Sequence, residues 1–187
     1  DADSDSATLS YEWTVSGIVI AGETGDTLSG VAHFDKGDTV FVTVTATDTD
    51  GSSEPVASAP VTILNSAPTT HTANIDPDAP VEGEDAVVCN VGMGGLDADG
   101  DTITYSISWT VADEPFTDTE TGTDEWSLAG DTVPASATSE GQEWTCTIAS
   151  TDGEDSGPPH SASVTILIDC DKDDDGWLLG SAECETI

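Results

Sequence analysis

Apolar and polar residues alternate along "TVFVTVTAT" (39–47) and "EWTCTIAS" (143–150), the period-two pattern of strands with one buried face. "TITYSISWTV" (102–111) and "YEWTV" (11–15) are the other apolar runs that open each part of the chain, and Gly, Asp, Ser and Pro punctuate the gaps between runs. No run carries a helical period of comparable strength. The pattern predicts an all-β chain of short strands, packed as antiparallel β-sandwiches of immunoglobulin-like build.

The runs recur in order. "DADSD…YEWTV" begins at Asp1 and is followed by "GDTLSG", "KGDTVFVTVTATDTDG" and "APVTILNSAP". "DADGD…ISWTV" begins at Asp97 and is followed by "EWSLAG", "EGQEWTCTIASTDGEDSG" and "SASVTILIDC". Two copies of one unit are therefore expected, at 1–66 and 67–168, with a distinct segment at 169–187. In the second copy, residues 67–96 precede "DADGD" and include "APTTHTANIDPDAPVEGEDAVVCNV", which should supply two opening strands. The first copy has no such stretch ahead of Asp1, so 1–66 is expected to be a sandwich lacking its first strands. Those strands would come from preceding sequence or from a neighbouring subunit.

Cys89, Trp109 and Cys146 fall on three successive predicted strands, with Trp144 two residues before the second cysteine. Together with "DGDTITYSISWTV" and "STDG", this order resembles the polycystic-kidney-disease (PKD) repeats and the related immunoglobulin-like or cadherin-like repeats strung along large bacterial surface proteins. The resemblance covers 1–168 and implies an inter-sheet disulfide between Cys89 and Cys146. In the first copy Trp13 matches Trp109 and Val42 takes the place of Cys146, which marks the cysteine pair as structural. Such a bond would stabilise its domain by about 4 kcal/mol on the loop-entropy estimate. Disulfides in turn place the chain in an oxidising, secreted or cell-surface setting.

Charge narrows the partners. The chain holds 38 Asp and Glu against two Lys and no Arg, for a formal net charge of -36. Nucleic acid and anionic membrane surfaces are excluded, because both require basic side chains to displace counterions. No apolar stretch approaches the roughly 20 residues of a membrane-spanning helix, so membrane insertion is not expected. Cations or a salty medium must offset the self-repulsion.

The acids cluster in turns. Asp97, Asp99 and Asp101 share the turn between the second and third expected strands, and Asp152, Glu154 and Asp155 share the turn between the last two; both turns project from one end of such a sandwich. Asp1, Asp3 and Asp5 with Asp48 and Asp50 repeat the arrangement in the first copy. Alternate aspartates in a turn direct several oxygens at one point, which suits calcium, a hard cation taking six to eight oxygen ligands. The competing reading is a solvated turn favoured by Asp and Gly for backbone reasons. The acidic end of the second copy is expected to face the junction "LNSAP" (64–68), where cations would stiffen the link, as in the cadherins it resembles.

The tail reads "DCDKDDDGW". Asp171, Asp173 and Asp175 precede Gly176, an EF-hand-like opening in which the carbonyl of Trp177 would be the next calcium ligand. The twelfth position is Ala182 rather than Glu, and Cys170 and Cys184 bracket the loop, so the segment is similar to the calcium repeats of thrombospondin type 3. That likeness implies a Cys170–Cys184 disulfide.

No nucleophile elbow, Gly-rich phosphate loop or HExxH motif occurs, and His33, His71 and His160 are isolated, as expected of surface or loop histidines. Abundant carboxylates on open turns lack the apolar pocket that raises a catalytic acid. The sequence is thus read as a non-catalytic segment of an extracellular stalk, adhesin or fibre whose partners are neighbouring repeats of the same or an identical chain. An accessory carbohydrate-binding module is the alternative, with Trp126 and Trp177 contacting polysaccharide.

Overall fold

The computed structural model describes residues 6–168. The chain divides after Ser66 into two compact units.

The first unit comprises β1 (Thr8–Val15), β2 (Ile18–Val19), a single helical turn α1 (Gly30–His33), β3 (Thr39–Thr47), β4 (Val56–Ala57) and β5 (Val61–Thr62). The turn α1 lies where no helix was expected; none of its residues is buried, and it is one turn long. The strands form one antiparallel sheet in the order β2–β1–β3–β4, with β5 also on β3. Positive φ at Ser16 (46°) and Gly17 (81°) makes the two-residue hairpin between β1 and β2, a turn whose twist matches that of the strands. Pro60, which has no N–H to give to a ladder, separates β4 from β5 and splits the edge strand. Register follows the period-two pattern: Leu9, Tyr11, Trp13 and Val15 lie opposite Ala46, Val44, Val42 and Val40 on one face. Thr8, Ser10, Glu12 and their partners make the other face polar.

The second unit comprises β6 (Ala73–Asp76), β7 (Val87–Val91), β8 (Thr104–Val111), β9 (Glu114–Phe116), β10 (Thr132–Val133), a 3₁₀ turn (Ala135–Ala137), β11 (Glu143–Thr151) and β12 (His160–Thr165). Two sheets form, β10–β7–β6 and β12–β11–β8–β9. Val87, Cys89 and Val133 of the first meet Trp109, Trp144, Cys146, Ile148 and Val164 of the second in one apolar core. The Cys89–Cys146 disulfide ties the sheets together with its Cα atoms 6.2 Å apart. Trp144 stands edge-on to Phe116, with ring centroids 4.8 Å apart, and to Trp109 at 6.4 Å. The strands within each sheet are antiparallel, and the two sheets share this core.

The repeat holds at the level of register. Trp13 faces Val42 as Trp109 faces Cys146, and Thr8 faces Thr47 as Thr104 faces Thr151. The isolated bridges Thr47↔Ser52 and Thr151↔Ser156 also correspond. The first unit therefore reproduces the β9–β8–β11–β12 sheet. Among its described residues nothing corresponds to β6 or β7. One alignment needs correction: Trp13 Nε1 donates to the carbonyl of Gly25 and Trp109 Nε1 to that of Gly130, so "GDT" at 25–27 matches "GDT" at 130–132, and "GDTLSG" does not start level with "EWSLAG".

Candidate metal centre

Residues 92–103 connect β7 to β8 and are stitched to residues 69–72, just ahead of β6. Thr72 O accepts from Gly92 N, Thr72 N donates to Met93 O, and Met93 N donates to Thr72 Oγ1. Further along, Thr69 N and Oγ1 both donate to Leu96 O, and Leu96 N donates to Thr69 Oγ1. Gly95 N donates to the Tyr105 hydroxyl at 2.8 Å. A Cβ at Gly95 would stand 2.7 Å from the Thr69 carbonyl oxygen, so this close approach requires glycine.

The turn that follows is held by Asp97. Its Oδ1 accepts from Asp99 N at 2.9 Å and from Asp101 N at 3.1 Å, while Gly100 takes φ 78° to let the chain reverse. Asp97 Oδ2 is buried and has no hydrogen-bond partner. One carboxylate oxygen from each of Asp97, Asp99 and Asp101 lies within 4.8 Å of the others, and all three residues are half-buried. Oxygens held about 2.4 Å from a single calcium are at most about 4.8 Å apart, and the three stay within that limit. Carbonyls and water would have to complete it.

Pairing of Thr104 with Thr151 brings the turn after β11 to the same end of the sandwich. Its acids are used differently. Asp152 Oδ1 accepts from Glu154 N and Asp155 N, both at 2.7 Å, and Thr151 Oγ1 accepts from Gly153 N. Asp152, Glu154 and Asp155 do not belong to the three-carboxylate group, which is the one such group among the described residues. Asp48 behaves in the same way, accepting from Asp50 N and Gly51 N at 2.9 Å each. Of the acidic turns expected to converge in pairs, 97–101 gathers three carboxylate oxygens by itself, while Asp152 and Asp48 each accept from the backbone of their own turn. Asp1, Asp3, Asp5, Asp171, Asp173, Asp175, Trp177, Cys170 and Cys184 lie outside the described residues.

Of the histidines expected at surface or loop positions, His71 lies in a loop but is fully buried. Its Nε2 lies 3.1 Å from Ile148 O, and its ring stands edge-on to Tyr105 and His160. His33 pairs with Glu23 at 3.0 Å. Asp131 was not singled out at all, yet it is buried at 1% exposure and fully bonded: Oδ1 accepts from Gly122 N and Thr132 Oγ1, and Oδ2 from Leu128 N, each at 2.8 Å. The "GDT" shared by the two units was the available signal. Trp126 is 81% exposed beside a hollow lined by Asn90, Glu120, Asp124 and Thr132. Among the described residues no helix is long and apolar enough to cross a membrane.

No protein-family model matches this sequence, and no curated protein matches it. Solved structures of similar form include the chicken CNTN1 FN1–FN3 domains, at TM-score 0.38 and 10% identity, covering 89% of this chain and 59% of that one. The fibronectin(III)-like modules of Clostridium thermocellum CbhA match at TM-score 0.32 and 15% identity, over 85% of this chain and 78% of theirs. A 1.5-MDa bacterial ice-binding adhesin matches at TM-score 0.35 and 17% identity, over 88% of this chain and 54% of that one. The chain thus spans little more than half the length of the first and last of these. The likeness is one of β-sandwich form.

Proposed function

We propose that this chain is a non-catalytic structural segment of a large secreted or cell-surface stalk, adhesin or fibre, in which calcium and disulfides stiffen tandem sandwiches. The observation that carries the calcium reading is Asp97, whose Oδ2 is buried without a hydrogen-bond partner and whose carboxylate shares a three-oxygen group with Asp99 and Asp101. A buried carboxylate oxygen left bare is costly, and a cation supplies what no donor does. A chain of net charge -36 with two basic side chains has little else to neutralise it. The inter-sheet disulfide supports an oxidising, extracellular setting. Partners would be neighbouring repeats of the same or an identical chain.

Affinity is expected in the range of extracellular modules, with a dissociation constant of about 10⁻⁴ to 10⁻³ M. Amide resonances followed during a calcium titration test the site. Saturable shifts centred on 95–101, absent from an Asp99→Asn/Asp101→Asn variant, are expected; shifts spread evenly over the acidic surface would contradict it.

The exposed Trp126 favours a second reading, an accessory carbohydrate-binding module, since an indole beside amide and carboxylate groups can stack on a sugar ring. Saturable binding to a polysaccharide that disappears in Trp126→Ala would establish it.

A further inference from the structure

We propose that the apolar face of the first unit's sheet is a docking surface for an antiparallel strand pair of the β6–β7 kind, supplied by a neighbouring repeat from outside residues 1–187. The inference rests on the repeat reading above and is independent of calcium.

The two units show the same sheet with and without a cover. In the second, Cys146 and Ile148 are fully buried and Trp109 is 2% exposed, because Val87, Cys89 and Val133 lie over them. In the first, the matching Val42, Val44 and Trp13 are only half-buried, and Leu9, Val56 and Val61 are 51%, 67% and 62% exposed. Val56 and Val61 lie opposite Val44 and Val40, so they extend the same face. Contiguous exposed apolar surface of this kind marks an interaction site.

A second cue lies at the rim. β10 begins at the threonine of "GDT" in the second unit and pairs with β7 through Thr132↔Val88 and Val133↔Val87. The corresponding Thr27 and Leu28 belong to no strand. A docked pair would therefore gain ladder bonds to 27–28 as well as the apolar face, the strand-addition mode of recognition.

The chemistry of the occupant follows. The face carries no charge, so the pair needs alternating Val, Ile or Ala and no basic residue. Val42 stands where Cys146 stands in the other unit, so the occupant needs no cysteine at the position of Cys89. Residues 1–5, "DADSD", are too short to provide two strands, and 169–187, "DCDKDDDGWLLGSAECETI", hold no alternating apolar run. The chain's own β6–β7 is already seated in the second unit and held there by the Cys89–Cys146 bond.

The test adds a copy of residues 67–96, with Cys89→Val, directly ahead of Asp1 of the full chain, reproducing the spacing to Asp97. Hydrogen exchange and sedimentation are compared with and without it. Amides of β1 and β3 should slow at least about tenfold in the extended chain. Val44→Asp should abolish the gain, and Thr43→Asp on the opposite face should leave it intact. Unchanged exchange in the extended chain would overturn the proposal. So would a dimer of the unextended chain whose β1 and β3 amides are already protected, since a second copy would then be the occupant.

Discussion

The indole Nε1 of Trp13 donates to the carbonyl oxygen of Gly25 at 2.9 Å, and the corresponding Trp109 makes the same bond to Gly130 at 3.1 Å. The bond survives although the sheet that covers Trp109 has no counterpart over Trp13 among the described residues. It belongs to the repeat's own design, anchoring the long connection that follows the β1–β2 or β8–β9 hairpin. Trp13→Phe, which keeps the apolar ring and loses the donor, should increase proteolytic cleavage between 20 and 34. An unchanged cleavage pattern would separate the bond from the order of that segment.

Cys89→Val/Cys146→Val should destabilise the second unit by about 4 kcal/mol in denaturant unfolding, through the loop that the bond closes. Full loss of the fold, rather than a shifted midpoint, would mean that the bond specifies the packing as well as stabilising it.

Asp131→Ala removes an acceptor from Gly122 N, Leu128 N and Thr132 Oγ1 in a site closed to water. A cost of roughly 3 kcal/mol is expected, since orphaned buried donors are penalised individually. The exposed counterpart, Asp26→Ala, should change stability by less than about 0.5 kcal/mol.

His71→Ala leaves a cavity and removes a hydrogen bond to the Ile148 carbonyl, for an expected loss of about 2–4 kcal/mol. His160→Ala, at an exposed position, should cost far less. Equal effects would argue that the contact between the two rings, not burial, holds this end of the sandwich.

The hydroxyl of Ser16, with help from Asp35 N, holds the Asp38 carboxyl below the ordinary value of 3.8. A carboxylate with a depressed folded pKa contributes stability above its unfolded pKa and loses that contribution as pH falls through the folded one. The Asp38 side-chain carbon should therefore titrate below pH 3.8, and Ser16→Ala should raise its midpoint. A midpoint indifferent to Ser16→Ala would contradict the assignment.

Strands were legible where alternation was long. "TVFVTVTAT" became β3 in full, and "EWTCTIAST" became β11 with alternate residues buried. The Cys89–Cys146 bond was legible through the resemblance that the Cys…Trp…Cys order carries rather than through alternation. Burial of His71 was not legible, because it is produced by strands distant in sequence closing over a loop residue. The acidic turns were legible as turns but not by role. Asp97 and Asp152 both cap backbone N–H groups through Oδ1, and what sets Asp97 apart is that Oδ2 is buried. No local motif announces that burial, nor the stitching of 92–96 onto 69–72 that precedes the turn.

Thermal unfolding at constant ionic strength, with calcium raised to about ten times its dissociation constant, tests the central claim most directly. One site should add ~1.4 kcal/mol by mass action, or roughly 5 °C for a domain of this size, and Asp99→Asn/Asp101→Asn should remove the increment. A midpoint that ignores millimolar calcium and climbs only in molar potassium chloride would contradict the account, because acidity would then serve life in salt rather than ion binding.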